Sequence, residues 1–341
     1  MSTGPVLRIE NLQVALPAGG DRTHAVNGVS LSIEPGKTLC VVGESGSGKS
    51  VTALSVLRLL PPGGRLLRGS MRLGSTDLVK ISERELGAIR GRRIGMIFQD
   101  PQTSLNPVMT VGQQIGEVLK LHLNLDRDAL RLRVLEWLEQ VGLPDPERHF
   151  GLYPHQLSGG MRQRAMIAMA LVTQPQLLIA DEPTTALDVT MQAQIMELIR
   201  DLQREMGMSV LLITHDLGVI AENCDDVIVM YLGEVMERAD VKHLFADPLH
   251  PYTRALLRSI PRLGRAKSWE LEPIEGMVPS PYNRATGCPF HPRCEAFMAG
   301  VCDTTRPVLT RFDDGRAVRC HLYPQTDAVQ PSSDASPAEK K

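Results

Sequence analysis

GESGSGKS occupies Gly43–Ser50. The run before it, TLCVV (Thr38–Val42), is short and apolar with β-branched residues, the pattern of a buried strand. The run after it, KSVTALSVLRLL (49–60), reads as a helix that Pro61 and Pro62 stop. Glycine, four free positions, glycine, lysine and serine, set between strand and helix, is the context in which such a loop cradles phosphate. Gly43, Gly46 and Gly48 let the backbone around Ser45 fold tightly, so that its N–H groups point at phosphate oxygens. The helix N-terminus adds a dipole favourable to anions. Lys49 can reach β- and γ-phosphates, and the Ser50 hydroxyl can ligate Mg²⁺. The bland alternative is a glycine-rich turn that happens to carry lysine, and the strand–loop–helix setting argues against it.

Outward from this loop the chain alternates. Residues 6–42 read as short strands and turns, and RIGMIF (93–98) as an apolar strand. QDPQTSLNP (Gln99–Pro107) is a loop by its Pro, Asn and Ser content. From about Val111 to Thr173 the pattern is helical; Leu135, Leu138 and Val141 recur at three-residue steps, and Gly142 is placed to end that helix. LLIAD (Leu177–Asp181), helix TMQAQIMELIRDLQREMG, strand SVLLITHD and the hairpin-like VIVMYLGEVME follow. Strand and helix in alternation imply a parallel sheet with helices packed on it, an α/β fold. LLIADE puts Asp181 at the end of a buried strand, where it can hold the Mg²⁺ shell, and sets Glu182 next to it to take a proton from an attacking water.

The 341 residues suffice for one large domain or two ordinary ones. At 43% hydrophobic and 22% charged, the composition is that of a globular protein. The net charge of −2 gives no basic excess of the kind nucleic-acid binders carry. No run reaches eighteen apolar residues, and the N-terminus lacks a basic region followed by an apolar core; a cytosolic chain with reduced thiols is expected. After Arg238, Pro248, Pro251, Pro261, Pro273, Pro279 and Pro281 are expected to break up long elements. The last residues, PQTDAVQPSSDASPAEKK (324–341), read as a disordered tail.

LSGGMRQR (Leu157–Arg164) lies between the two acidic and phosphate motifs in space of sequence. Together with GESGSGKS, Gln99 and LLIADE, it resembles the signature loop of ATP-binding-cassette ATPases; ALD (Ala186–Asp188) resembles that family's D-loop, and His215 in LLITHD its switch histidine. The resemblance covers 6–238 and implies a RecA-like core, an antiparallel β subdomain and a helical signature subdomain over about 108–173. It implies two ATPases facing head to tail, each ATP held between the phosphate loop of one and Ser158, Gly159 and Gly160 of the other. By that analogy Gln99 touches Mg²⁺ or the water, His215 contacts the γ-phosphate and Asp188 couples the two sites. One departure stands out: ALPAGGDRTHAV contains no aromatic residue to stack on adenine, so either His24 replaces it or the contact is absent.

DPQTSLNP, YPHQLSGGM, DEPTTALDVTMQAQI and HPYTRALL (His250–Leu257) look like the peptide-importer branch, the ATPase subunits of bacterial dipeptide and oligopeptide permeases. That implies a homologous ATPase as heterodimer partner, two transmembrane permease subunits, indirectly an extracytoplasmic binding protein, and a peripheral place on the cytoplasmic face of the bacterial inner membrane. Another small solute, such as nickel or glutathione, is the alternative cargo. A soluble family member of DNA repair or translation is the alternative outside transport, although such chains carry coiled-coil insertions or two cassettes. The extension, 239–323, carries Cys288, Cys294, Cys302 and Cys320. Four thiolates can close a zinc site or hold a [4Fe–4S] cluster. The wide, unequal spacing lacks the close pairs of structural zinc sites, and the resembling subunits are associated with a cluster; zinc and unligated thiols stay as alternatives. The cysteines lie in a segment separate from the phosphate motifs, so a role in stabilising or docking the tail is expected rather than catalysis. Cys40 and Cys224 read as buried free thiols, and Met161, Met166 and Met169 as core.

Overall fold

A computed structural model describes residues 4–18, 21–100, 104–185, 187–259, 274–279 and 286–324. Ala186 and the expected disordered tail from 325 onward lie outside the described residues.

Two long strands open the chain, β1 (Leu7–Ala18) and β2 (Asp21–Ile33). They pair antiparallel, and the short strands expected here do not occur as such. Bulges between Ile9 and Leu12 and between Val14 and Ala15 shift the register, which interrupts the alternation that marks one continuous strand. β3 (Thr38–Val42) follows, buried at every position, then helix α1 (Lys49–Val56). α1 stops before the expected Pro61. Arg58 turns left-handed at φ 50°, and the Leu59 amide closes on the Leu54 carbonyl at 2.9 Å, so the chain leaves the helix by a Schellman-type cap.

β4 (Arg65–Leu73) and β5 (Thr76–Asp77) complete a four-stranded antiparallel sheet in the order β2-β1-β4-β5. α2 (Glu83–Ile89) starts from a Ser82–Glu85 capping box and leads to β6 (Ile94–Ile97). The expected helical stretch is several pieces: α3 (Val111–His122), α4 (Arg127–Gln140), α5 (Pro146–Phe150), a 3₁₀ turn and α6 (Gly159–Leu171). Gly142, at φ 74°, ends α4 as expected. The buried stripe of α4 is Leu130, Val134, Trp137 and Leu138; Leu135 is only half-buried.

Then come β7 (Leu177–Asp181), α7 (Val189–Met206), β8 (Ser209–Ile213), α8 (Leu217–Asn223), β9 (Asp226–Tyr231) and β10 (Glu234–Asp240). The strands β9, β3, β8, β7 and β6 lie side by side in parallel. β3, β7 and β8 are buried on both faces, which is why each reads as an unbroken apolar run. Met166 is buried on α6, and Met161 and Met169 pack against the same apolar cluster.

The extension does not stand apart. α9 (Val241–Ala246) and α10 (Pro251–Arg258) are regular helices, and Pro251 begins α10 rather than breaking it. β11 (Thr310–Arg311) and β12 (Ala317–Val318) add themselves to the edge of the main sheet through β10.

Candidate functional site

The phosphate loop leaves the end of β3 in the middle of the parallel sheet. Two glycines have no substitute in this geometry. A Cβ on Gly43 would fall 2.1 Å from the Met230 carbonyl oxygen, and one on Gly48 would fall 2.4 Å from that of Ala25. Both also hold φ in the left-handed region, at 155° and 97°. The loop therefore lies tight against β9 and β2, and its residues line a cleft of about 680 Å³.

Gly43, Ser45, Gly46, Gly48, Lys49, Ser50, Gln99, Glu182 and His215 all line this cleft. Lys49 Nζ donates to the carbonyls of Gly43 at 2.7 Å and Glu44 at 3.0 Å. Burial pulls its ammonium below the ordinary lysine range, against the opposing pull of Glu182 and Asp181. Ser50 Oγ donates to Asp181 Oδ1 at 3.0 Å. Asp181 is buried, and desolvation raises its carboxyl while the Ser50 hydrogen bond holds it down. A hydroxyl and a carboxylate side by side at the end of the phosphate loop are an oxygen donor set that suits Mg²⁺.

Glu182, just past β7, is held from three sides. Gln99 Nε2 and Thr185 Oγ1 donate to its Oε2 at 3.0 and 2.8 Å, and His215 Nδ1 lies 3.4 Å from Oε1. Its backbone takes φ 47°, and its amide donates to the Ile213 carbonyl, which aims the side chain into the cleft beyond the sheet.

Ser158, Gly159, Gly160 and Asp188 form a second group, and none of them lines this cleft. Ser158 caps α6 by accepting from the Met161 amide at 3.3 Å. Asp188 caps α7 by accepting from the Met191 amide at 2.9 Å. The two helix starts are adjacent: a Cβ on Gly160 would lie 2.1 Å from Met191 Cε. Gln163 on α6 donates to the Pro183 carbonyl at 2.6 Å, so the signature helix is tied to the chain right after Glu182.

Sequence reasoning missed several lining residues. The apolar wall of the cleft comes from Leu16, Ala25, Val51 and Leu232. His24, the candidate for the adenine contact, is not among the lining residues; its neighbour Ala25 is. Glu44 was a free position in the loop pattern, yet it lines the cleft and its carboxylate meets Arg293 of the extension at 2.7 Å. The cysteine-bearing segment, separate from the phosphate motifs in sequence, thus meets the phosphate loop in space.

The four cysteines interact. Burial, with the neighbouring Cys320, Cys294 and Cys302 acting in the same direction, pushes the Cys288 thiol up to about 12. Cys294 and Cys320 are raised by burial too. Yet the geometry gives the expected metal centre no support. Among the described residues no group of three His, Cys, Asp or Glu side chains could hold a metal ion. Cys288, Cys294 and Cys302 pack into one apolar cluster, while Cys320 packs with Leu249 and Val318 in another. Neither the iron–sulfur cluster nor the zinc alternative finds a ready shell there. Cys40 is buried and Cys224 half-buried, and desolvation raises Cys40.

Residues 26–185 match the family model described as ABC transporter, and residues 236–302 match that of the oligopeptide/dipeptide transporter C-terminal region. The chain is 50% identical to the oligopeptide transport ATP-binding protein AppD of Bacillus subtilis, over 97% of this chain and 100% of that protein. It is 46% identical to the dipeptide transport ATP-binding protein DppD of Escherichia coli, over 96% of this chain and 99% of that one. Among solved structures, a dimeric ATP-binding cassette in a post-hydrolysis state with ADP and Pi is similar at TM-score 0.63 and 30% identity, covering 69% of this chain and 98% of that one.

Proposed function

The chain belongs to the ABC-transporter ATP-binding proteins, in the branch of oligopeptide and dipeptide transport, and from that premise we propose that it hydrolyses ATP to drive peptide uptake through separate membrane subunits. The observation that carries this reading is the cleft that gathers Lys49, Ser50, Gln99, Glu182 and His215 while Ser158–Gly160 lie outside it.

Lys49 and the loop amides from Gly43 to Ser50 bind the phosphates of ATP. Ser50 and Asp181 would hold Mg²⁺, with Gln99 beside them; the ion supplies positive charge to the β- and γ-phosphates. Glu182 orients the attacking water and takes its proton, and His215 contacts the γ-phosphate. Ser158, Gly159 and Gly160 present the positive end of α6 to the ATP of a partner cassette, and Asp188 couples the two sites. The partner is a homologous ATPase subunit, and the pair works on two permease subunits fed by an extracytoplasmic binding protein. The domains follow the same reading: 6–238 as the nucleotide-binding domain with its helical part at about 108–173, and 239–323 as the extension. Among the described residues no helix is long and apolar enough to cross a membrane, which suits a peripheral subunit at the cytoplasmic face. For Cys288, Cys294, Cys302 and Cys320 the finer proposal is one [4Fe–4S] cluster, on the chemistry of the donor set alone.

The test is turnover against concentration. The isolated chain should hydrolyse ATP slowly when dilute. The assembled transporter should hydrolyse it quickly and take up labelled peptide, and Lys49→Ala should abolish both. Turnover by the dilute monomer at the transporter's rate would refute the shared site.

A further inference from the structure

The extension reaches the phosphate loop through one buried ion pair. Arg293 lies in a single 3₁₀ turn (His291–Arg293) between Cys288 and Cys294. Its side chain is only 4% exposed. Its two terminal nitrogens grip the Glu44 carboxylate as a fork, Nη1 to Oε2 at 2.7 Å and Nη2 to Oε1 at 3.1 Å. This bidentate geometry is the strong form of an arginine–carboxylate pair. The remaining donors are used as well. Nε donates to the Glu275 carbonyl at 2.9 Å, Nη2 also to the Ile274 carbonyl at 3.3 Å, and Nη1 also to the Tyr231 hydroxyl at 3.3 Å. The guanidinium is thus fixed before it meets Glu44.

Glu44 is held by its backbone too. Its amide donates to the hydroxyl of Tyr252 on α10 at 2.9 Å. Tyr231 packs edge to face on both Tyr252 and Phe290, which are tilted against each other, with centroids 4.8 to 5.4 Å apart, and the three so join β9, α10 and the cysteine turn into one support. Glu44 carries the carbonyl that Lys49 uses in this structure, and it lines the cleft. A carboxylate at that place would repel the phosphates of ATP if its charge were not matched.

We propose that Arg293 is a positioning residue for the phosphate loop: it clamps Glu44 and cancels its charge, so that the cysteine-bearing segment sets the affinity of the Lys49 site for ATP. The proposal rests on the reading that ATP binds at this loop. It gives the extension a task in nucleotide binding that its distance along the chain conceals.

The test is a charge-balance series on the full chain, with ATP as probe and equilibrium binding as readout, each variant checked by its melting temperature. Arg293→Gln leaves Glu44 unpaired in a half-buried place beside the phosphates. A unit charge at an effective dielectric near 20 costs enough to weaken ATP binding about tenfold or more. Glu44→Gln removes the repelling charge but loosens one arm of the clamp, so its loss of ATP affinity should be smaller than that of Arg293→Gln. The double variant Arg293→Gln/Glu44→Gln should recover most of the loss. A purely structural role would weaken both single variants to the same extent and leave the double variant no better than Arg293→Gln, and that pattern overturns the proposal. So does unchanged affinity in Arg293→Gln. The two failures are distinguishable by the controls: if wild type and Lys49→Ala bind ATP equally poorly, the ATP-binding reading falls and takes the clamp with it.

Discussion

Glu182→Gln separates binding from chemistry because the structure says what the amide would do. Two donors, Gln99 Nε2 and Thr185 Oγ1, converge on Oε2 at 3.0 and 2.8 Å. A glutamine would put its carbonyl oxygen at that position and keep both bonds. Its –NH₂ would then occupy the Oε1 position, where it faces His215 Nδ1 at 3.4 Å and can donate to the ring nitrogen in its acceptor tautomer. Shape and contacts survive; only the ability to take a proton is lost. A positioned general base contributes on the order of 10²–10⁴-fold to rate, about 2.7–5.5 kcal/mol of barrier. Two bonds to a neutral acceptor in place of a charged one are each weaker by about 1 kcal/mol, which local packing can absorb without unfolding the loop. The variant also loses a negative charge near the γ-phosphate, so ATP should bind as well as in wild type or better. The assays are steady-state phosphate release by the assembled transporter and equilibrium ATP binding by the same preparation. The expected result is kcat reduced at least a hundredfold with ATP affinity unchanged or tighter. A kcat within about tenfold of wild type would remove Glu182 from the role of base. A fall in affinity that matches the fall in rate would mean that the carboxylate holds the nucleotide rather than activating water.

Two other outcomes can be checked. If Cys288, Cys294, Cys302 and Cys320 hold one cluster, protein prepared without oxygen should carry about four irons per chain; Cys288→Ser should lower that content and Cys40→Ser should not, and stoichiometric zinc without iron would decide against the cluster. His250 is buried, and desolvation lowers its pKa to about 3. The neutral ring therefore contributes stability that is full above the unfolded value near 6.5 and is lost as pH falls toward 3, at up to about 1.4 kcal/mol per pH unit. His250→Asn keeps a side chain that can cap α10 toward the Tyr252 amide, so its unfolding free energy should fall less steeply between pH 6 and 4 than that of wild type; parallel curves for the two would exclude His250 as the acid-sensitive group.

The parts of the fold that could be read from residues alone are those whose surroundings impose one pattern. Thr38–Val42, Leu177–Asp181 and Ser209–Ile213 are buried on both faces, so the chain writes them as continuous apolar runs. The phosphate loop was legible for a related reason: a close backbone approach such as that of Gly43 to Met230 admits only glycine, and the lysine must come at a set distance beyond it. β1 and β2 were harder, because their bulges break the two-residue period on which the eye relies. The end of α1 was misplaced because Arg58, not a glycine or proline, adopts the left-handed turn. In each case the missed feature is a backbone event with no residue type of its own.

Arg293 is a different kind of omission. It is separated from Glu44 by 249 residues, and neither residue belongs to a pattern that names a partner. Four cysteines around it draw attention to thiol chemistry and make the arginine between the first two look incidental. Yet the turn that places Arg293 is bounded by them: the Arg293 amide donates to the Phe290 carbonyl at 3.0 Å, and the amides of His291 and Cys294 bond back to Cys288 and His291. Whatever holds Cys288 and Cys294 thereby holds the guanidinium, and through it the phosphate loop. The cysteines and the phosphate loop, which look like two unrelated motifs in the chain, are joined in this geometry through the Arg293–Glu44 pair.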